Sequence, residues 1–94
     1  MLFQNQNLKS LLEFFKLFVD LPNEKIVALI MKDFFTSSEL ETFAKRWQIV
    51  KMLDKEISQK EIAEKLGVGL ATITHGSSAL KTQGEGFKWL LKNN

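Results

Sequence analysis

The spacing of apolar and polar residues predicts that the N-terminal part of the chain is a helix with one narrow polar stripe. Between residues 7 and 20 the polar side chains recur at intervals of four, three and four, at Lys9, Glu13, Lys16 and Asp20. Leucine, phenylalanine and valine fill most of the other positions. A helix that is apolar around most of its circumference is buried on several sides. Because a chain of 94 residues has a thin core of its own, we expect a second subunit to cover this helix.

Proline, glycine and capping residues divide the rest of the chain into five more helices. Pro22 separates the first helix from the second. The second helix is predicted at 23–34 with Asn23 as its N-cap, and the third runs from the capping box Thr36-Ser-Ser-Glu39 to about Lys55. The fourth runs from the capping box Ser58-Gln-Lys-Glu61 to Gly67, and the fifth covers residues 70–82. Gly84 and Gly86 end the fifth helix, and a short sixth helix follows them. No strand-like alternation occurs, so the predicted fold class is all-α with about six helices.

Residues 59–74 have the pattern of a helix-turn-helix. Ala63 is the small residue where two helices cross, and Gly67 supplies the left-handed conformation that ends the first of them. The apolar residues spaced to form a small core between the helices are Ile62, Leu66, Val68, Ile73 and Leu80. This combination of residue types at these offsets is typical of DNA binding. One departure is Gly76, which stands where most such motifs have a branched apolar residue.

The outer face of the fifth helix is small and free of acidic groups. It carries Ala71, Thr74, His75 and Ser78, flanked by Thr72 and Ser77. Small side chains let a helix lie deep in the major groove, and hydroxyl groups can donate to phosphates or base edges. The alternative is a helical hairpin used only for packing. That alternative predicts no preference for polar, acid-free residues on this face.

The excess of positive charge lies in the C-terminal part of the chain. Residues 1–57 carry eight basic and eight acidic side chains, whereas residues 58–94 carry five lysines and three glutamates, which together make the net charge of +2. From Lys65 to Gly84 there is no acidic residue. An acid-free stretch of this kind suits a phosphate backbone.

Few side chains suited to catalysis or metal binding are present. The chain has no cysteine and one histidine, and it has no glycine-rich phosphate loop, so we expect neither an enzyme nor a metal or cofactor site. The longest apolar run, Ile26 to Met31, is far shorter than a membrane span. The chain opens without the pattern of a signal peptide. We therefore expect a cytoplasmic protein with no membrane partner.

Residues 58–81 closely resemble the DNA-reading segment of the tryptophan operon repressor family, most diagnostically in the stretch Ala71-Thr-Ile-Thr-His-Gly-Ser77. The resemblance is close over residues 34–82. At the two ends of the chain it consists only of the pattern of helices. It implies a sequence-specific repressor of genes for tryptophan biosynthesis or uptake, acting as an intertwined homodimer on double-stranded operator DNA. The resemblance implies a single domain. In this domain, residues 1–57 form the helices that pair in the dimer and lie beside a ligand site, residues 58–82 bind DNA, and residues 83–94 pack in the dimer.

The resemblance also implies L-tryptophan as a co-repressor between the third and fifth helices. Arg46 matches an arginine that stacks on the indole ring, Thr36 matches a hydroxyl that holds the ligand carboxylate across the subunits, and Gly76 matches a glycine that makes room for the ring. Two positions differ. His75 stands where the family has a second arginine, paired with the carboxylate, and Ala79 stands where a serine meets the amino group. The absence of both interactions predicts tryptophan binding weakened about a hundredfold, or another ligand.

By the same resemblance, DNA contacts fall on Gln59, Lys60, Gly69, Leu70, Ala71, Thr72 and Thr74, to which the outer face adds Ser78. The connection before Ser58 is one residue shorter than in the family. Two alternatives to a tryptophan-dependent repressor remain. One is a helix-turn-helix protein that binds DNA without a ligand, and the other is a helical protein-interaction module.

Overall fold

The computed structural model describes residues 5–82 and 84–94, without the side chains of residues 5, 6, 79, 80 and 82. These residues form six helices and no strands: α1 Asn5–Lys16, α2 Glu24–Phe34, α3 Ser37–Asp54, α4 Gln59–Leu66, α5 Leu70–Thr82 and α6 Glu85–Asn93. The predicted all-α fold class is confirmed. The chain falls into two compact units, one up to Ser37 and one from Ser38 to Asn94. None of the described helices has the length and apolar composition that crossing a membrane requires.

In the N-terminal unit, α1 is shorter than the sequence pattern predicts. The helix ends at Lys16 instead of residue 20. Beyond it the backbone tightens, since Leu17 N donates to the Phe14 carbonyl and Phe18 N to the Phe15 carbonyl, both at 3.1 Å. Hydrogen bonds three residues apart are typical of helix ends. The residues of this turn still contribute apolar packing, since Phe18 contacts Phe14 with ring centroids 5.1 Å apart.

The same unit leaves many of its apolar side chains exposed. Phe14 also meets Phe34 of α2 edge to face at 4.9 Å, and Asn23 Oδ1 caps α2 by accepting from Ile26 N at 3.0 Å, as predicted. Large apolar side chains that remain exposed in the single chain are Leu8, Leu12, Phe15, Leu17, Val19, Leu29 and Phe34. Val19 is 72% exposed. The unit therefore does not bury its own apolar surface, and the second subunit remains a prediction.

The core of the C-terminal unit is one isoleucine from each of three helices. Ile49 of α3, Ile62 of α4 and Ile73 of α5 are at most 1% exposed. The side chains packed around them are Met52, Leu53, Ile57, Ala63, Leu66 and Val68. The predicted core between α4 and α5 is confirmed except at Leu80, whose side chain lies outside the described part. Ile49 was not predicted as its third member.

The turn between α4 and α5 has the predicted capping. Ser58 Oγ accepts from Glu61 N at 3.2 Å, which fixes the start of α4. Gly67 ends α4 with a φ of 65°, in the left-handed region. Its N–H and that of Val68 both donate to the Ala63 carbonyl, at 2.9 and 3.2 Å. These bonds satisfy a carbonyl that the helix end would otherwise leave unpaired.

The sixth helix begins earlier than predicted. Gly84 occupies its N-cap, and Gly86 lies inside the helix. The expectation that Gly86 interrupts the helix was wrong, because glycine at an exposed position lowers the stability of a helix by only about 1 kcal/mol. Phe87 of this helix stacks on Trp47 of α3, with centroids 6.4 Å apart and the ring planes 21° apart. This contact attaches α6 to α3.

Candidate functional site

The fifth helix turns a narrow apolar edge inward and a small polar face outward. Ile73 and Gly76 are buried. The predicted outer residues Ala71, Thr72, Thr74, His75 and Ser78 are all exposed, and Ser77 is half-buried. Leu70, which the resemblance predicts to contact DNA, is exposed as well. The exposed face follows from helical geometry, since positions three or four apart share a face. It leaves hydroxyl, imidazole and small apolar groups available along one side of α5.

A hydrogen bond joins the outer face of α5 to the start of α4. Thr74 Oγ1 donates to Gln59 Oε1 at 3.2 Å. Lys60 follows on α4 and is exposed, as is Gly69 in the turn, whose carbonyl accepts from Thr72 N at 3.2 Å. The structure thus brings the predicted DNA contacts of α4, the turn and α5 onto neighbouring positions.

The lysines of this region differ in their surroundings. Lys65 Nζ lies 3.4 Å from a carboxylate oxygen of Glu61, so part of its charge is compensated within α4. Lys60 and Lys81 are exposed, and in the described ranges neither forms a salt bridge. Lys60 is therefore better placed than Lys65 to attract a phosphate group.

A cavity of about 520 Å³ lies between α3, the turn after α4, and α5. Its lining residues are Thr42, Lys45, Arg46, Ile49, Val68, Ala71, Thr72, His75 and Gly76. All nine belong to the C-terminal unit. Ile49 and Val68 provide an apolar floor shared with the core, and polar side chains from α3 and α5 stand around it. An apolar cavity with a few polar groups is the usual form of a small-molecule site.

Three of the five predicted ligand residues line this cavity. Arg46 lies on its α3 wall, and His75 and Gly76 lie on its α5 wall. Thr36 is not among the lining residues and belongs to the other compact unit. Ala79 lies in α5, but its side chain is outside the described part. The structure therefore brings together Arg46, His75 and Gly76.

Four further cavity residues were missed by the sequence reasoning, namely Thr42, Lys45, Ile49 and Val68. Thr42 lies one turn before Arg46 on α3, so helical spacing from Arg46 would have indicated it. Ala71 and Thr72 were predicted to contact DNA only, yet they line the cavity as well. A molecule in this cavity would therefore touch the same helix that presents the outer face.

Gly76 allows α5 to approach α3 closely. A Cβ atom placed on Gly76 would lie 3.2 Å from Ile49 Cγ2, a tighter contact than most Cβ atoms make. Ile49 is 1% exposed, and it would have to shift by a few tenths of an ångström to relieve this contact. A branched residue, which most helix-turn-helix motifs carry here, would add further carbon atoms to this contact and would require Ile49 or one of the two helices to shift. This close approach accounts for the departure at Gly76.

The cavity wall is basic. Lys45, Arg46 and His75 line it, and no aspartate or glutamate is among the described residues that line it. Arg46 could have paired with Glu39 or Glu41, but in the described part it forms no salt bridge, and its guanidinium lies 5.8 Å from the centre of the Phe43 ring. Nor do the described residues include a group of three or more metal-ligating side chains. The arrangement suits a ligand with an apolar body and an anionic group.

Comparisons with known proteins agree with this arrangement. The model of the family described as Trp repressor protein matches residues 9–94. A Trp operon repressor homolog of Chlamydia trachomatis is 37% identical over 90 residues, which cover 95% of this chain and 96% of that protein. One of Chlamydia caviae is 48% identical over 61 residues, covering 64% of this chain and 60% of that protein. One of Vibrio cholerae is 40% identical over 67 residues, or 70% and 61%.

No solved structure matches the chain at a significant level. The family match nevertheless spans both the cavity and the whole of α4 and α5. The match with the Chlamydia trachomatis protein extends over nearly the full length of both chains. The chain therefore belongs to the Trp repressor family, a family of DNA-binding transcriptional repressors.

Proposed function

We propose that this protein represses transcription by binding operator DNA through α4 and α5, with L-tryptophan as its co-repressor. One observation carries the proposal. The cavity that Arg46, His75 and Gly76 line is also lined by Ala71 and Thr72 of α5, the helix that would enter the major groove. A ligand bound there would contact the element that enters the groove, and so its binding free energy would depend on the orientation of that element.

The size and chemistry of the cavity fit an aromatic amino acid. Its volume of about 520 Å³ lies within the range of about 300–1,000 Å³ that is usual for small-molecule sites. Ile49 and Val68 offer apolar surface to an indole ring, and a guanidinium such as that of Arg46 stacks favourably on an aromatic face. The basic wall complements the carboxylate.

On the DNA side, the exposed groups divide into those that position the protein and those that read bases. Lys60 and the N–H groups at the start of α5 are suited to phosphates, since a helix N-terminus attracts anions. Thr74 and Ser78 offer hydroxyl groups, and Ala71 offers a methyl group, to base edges in the major groove. Two copies of α5 in a dimer would enter successive major grooves of a palindromic site.

The ligand acts in this proposal by shifting a population. An empty cavity leaves α5 free to adopt more than one angle to α3, and an occupied one favours the angle at which both copies of α5 fit the operator. Ligand binding and DNA binding are then linked, and each strengthens the other by the same factor.

The test is fluorescence anisotropy of a labelled palindromic duplex of the Trp-operator type, at fixed salt, with and without L-tryptophan. We expect tryptophan to tighten binding tenfold or more, a coupling of about 1.4 kcal/mol. A duplex of scrambled sequence is the control and should respond far less. Absence of any salt-sensitive binding to either duplex would contradict the DNA-binding role itself.

A second proposal is ligand-independent DNA binding through the same helices. It is favoured by His75, which stands on the cavity wall where the family resemblance implies an arginine for the ligand carboxylate. Salt-sensitive binding to the operator-type duplex that does not respond to tryptophan would support this second proposal over the first.

A further inference from the structure

One positively charged side chain of the cavity lining, that of Lys45, is not predicted by the family resemblance. Lys45 precedes Arg46 on α3, and both line the cavity. The residue is exposed, so its flexible side chain has room to place the ammonium group at the mouth of the cavity. His75 lines the cavity from α5, so basic groups reach it from two helices.

Lys45 also differs from Arg46 in its surroundings. The Arg46 guanidinium lies 5.8 Å from the centre of the Phe43 ring, within the range of a cation–π contact. Among the residues that the structure describes, Lys45 forms no salt bridge, and the cavity lining contains no carboxylate. No described carboxylate therefore lies within salt-bridge distance of the Lys45 ammonium group, which leaves this group available to an anion that enters the cavity.

We infer that Lys45 binds the carboxylate of the ligand, an inference that rests on the proposed tryptophan-dependent function. A ligand carboxylate is held best by a permanent positive charge. The neutral form of an imidazole such as that of His75 lacks this charge, whereas the ammonium group of a lysine has it. Lys45 supplies from α3 the charge that an arginine at position 75 would supply from α5.

The test measures ligand affinity by isothermal titration calorimetry on the full chain, with L-tryptophan and with L-tryptophanamide, which has no carboxylate. We expect Lys45→Met to weaken L-tryptophan binding about tenfold, the effect of removing one charge-assisted hydrogen bond. Its effect on L-tryptophanamide should stay within about twofold. Lys45→Arg should retain most of the affinity for L-tryptophan. Lys55→Met, the same substitution at an exposed lysine outside this cavity, should change the affinity for neither ligand.

The outcomes separate the inference from the function on which it rests. Equal L-tryptophan affinity in the original protein and in Lys45→Met overturns the role of Lys45 and leaves the tryptophan-dependent repressor intact. An equal decrease for both ligands also overturns it, because the effect then does not depend on the carboxylate. No measurable L-tryptophan binding by the original protein overturns both. If Lys45→Met weakens DNA binding without ligand and leaves L-tryptophan affinity unchanged, Lys45 serves a phosphate group instead.

Discussion

Glu56 adopts a backbone conformation that usually belongs to glycine. Its φ is 61°, and it is the one non-glycine residue with a positive φ in the described part of the chain. Glu56 N donates to the Leu53 carbonyl at 3.0 Å and Ile57 N to the Met52 carbonyl at 3.1 Å. This pair of bonds is the Schellman ending of a helix, in which the left-handed residue is normally glycine. The short connection from α3 to α4 is thus made at some conformational cost.

This geometry predicts opposite effects at the two left-handed positions. Glu56→Gly should raise the free energy of unfolding by up to about 1 kcal/mol, because it removes a Cβ from a left-handed residue. Gly67→Ala, at a φ of 65°, should lower it by about 1 kcal/mol, because it adds a Cβ at such a residue. Urea denaturation followed by circular dichroism measures both. Stabilisation by Gly67→Ala would contradict the assigned turn.

Gly76 is constrained by its neighbour and not by its backbone angle. Gly76→Val should lower the free energy of unfolding by about 1–3 kcal/mol, because the added carbon atoms press on Ile49 in a packed core. Gly69→Val is the matched control, since a Cβ on Gly69 meets nothing within 4 Å. The two variants are compared in the same urea titration. Equal stability of both would mean that α5 does not pack against α3 at Gly76.

At the scale of the helices, the Thr74–Gln59 hydrogen bond joins α4 and α5, the two helices that we propose bind DNA. Thr74→Ala should weaken binding to the operator-type duplex about fivefold, since removing one hydroxyl costs roughly 1 kcal/mol. Thr74→Ser keeps the hydroxyl and should bind like the original protein. Anisotropy titrations on operator-type and scrambled duplexes make the comparison. If Thr74→Ala weakens binding to the operator-type and scrambled duplexes by the same factor, Thr74 does not contribute to sequence specificity.

Lys60 at the start of α4 is suited to a different role. Lys60→Ala should weaken binding to every duplex by a similar factor, and it should reduce the slope of log affinity against log salt by about one for each phosphate that Lys60 neutralises. Lys92→Ala, at an exposed position on α6, is the control and should leave the slope unchanged. A salt slope that stays the same in Lys60→Ala would remove Lys60 from the interface.

Local signals predicted most of the helix ends, and their failures are local as well. Asn23, Ser58 and Gly67 cap their helices as predicted, because a cap depends on atoms within one turn. The end of α1 was misplaced, because apolar residues remain useful for packing in the turn beyond Lys16. Gly86 was misread as a break, because glycine weakens an exposed helix without ending it.

At the scale of the whole molecule, the exposed apolar surface of the N-terminal unit predicts self-association. Side chains such as Leu12, Phe15 and Val19 are about half exposed or more in the single chain. Soluble monomers rarely leave a large contiguous patch of this kind uncovered. Light scattering at micromolar concentration should therefore give twice the mass of one chain. The mass of a single chain under those conditions would contradict the intertwined homodimer.

Residue types at fixed short spacings were enough to predict the all-α class, the caps at Asn23, Ser58 and Gly67, the helix-turn-helix and the resemblance to the family. The packing of the helices was needed to show that Ile49 completes the core, that Gly76 lies against Ile49, and that Lys45 shares a cavity with His75. These features depend on which faces of distant helices meet, and spacing within one helix carries no information about that. The resemblance to the family predicted Arg46, His75 and Gly76 at the cavity, whereas Lys45, Ile49 and Val68 became known as lining residues only when the helices were packed.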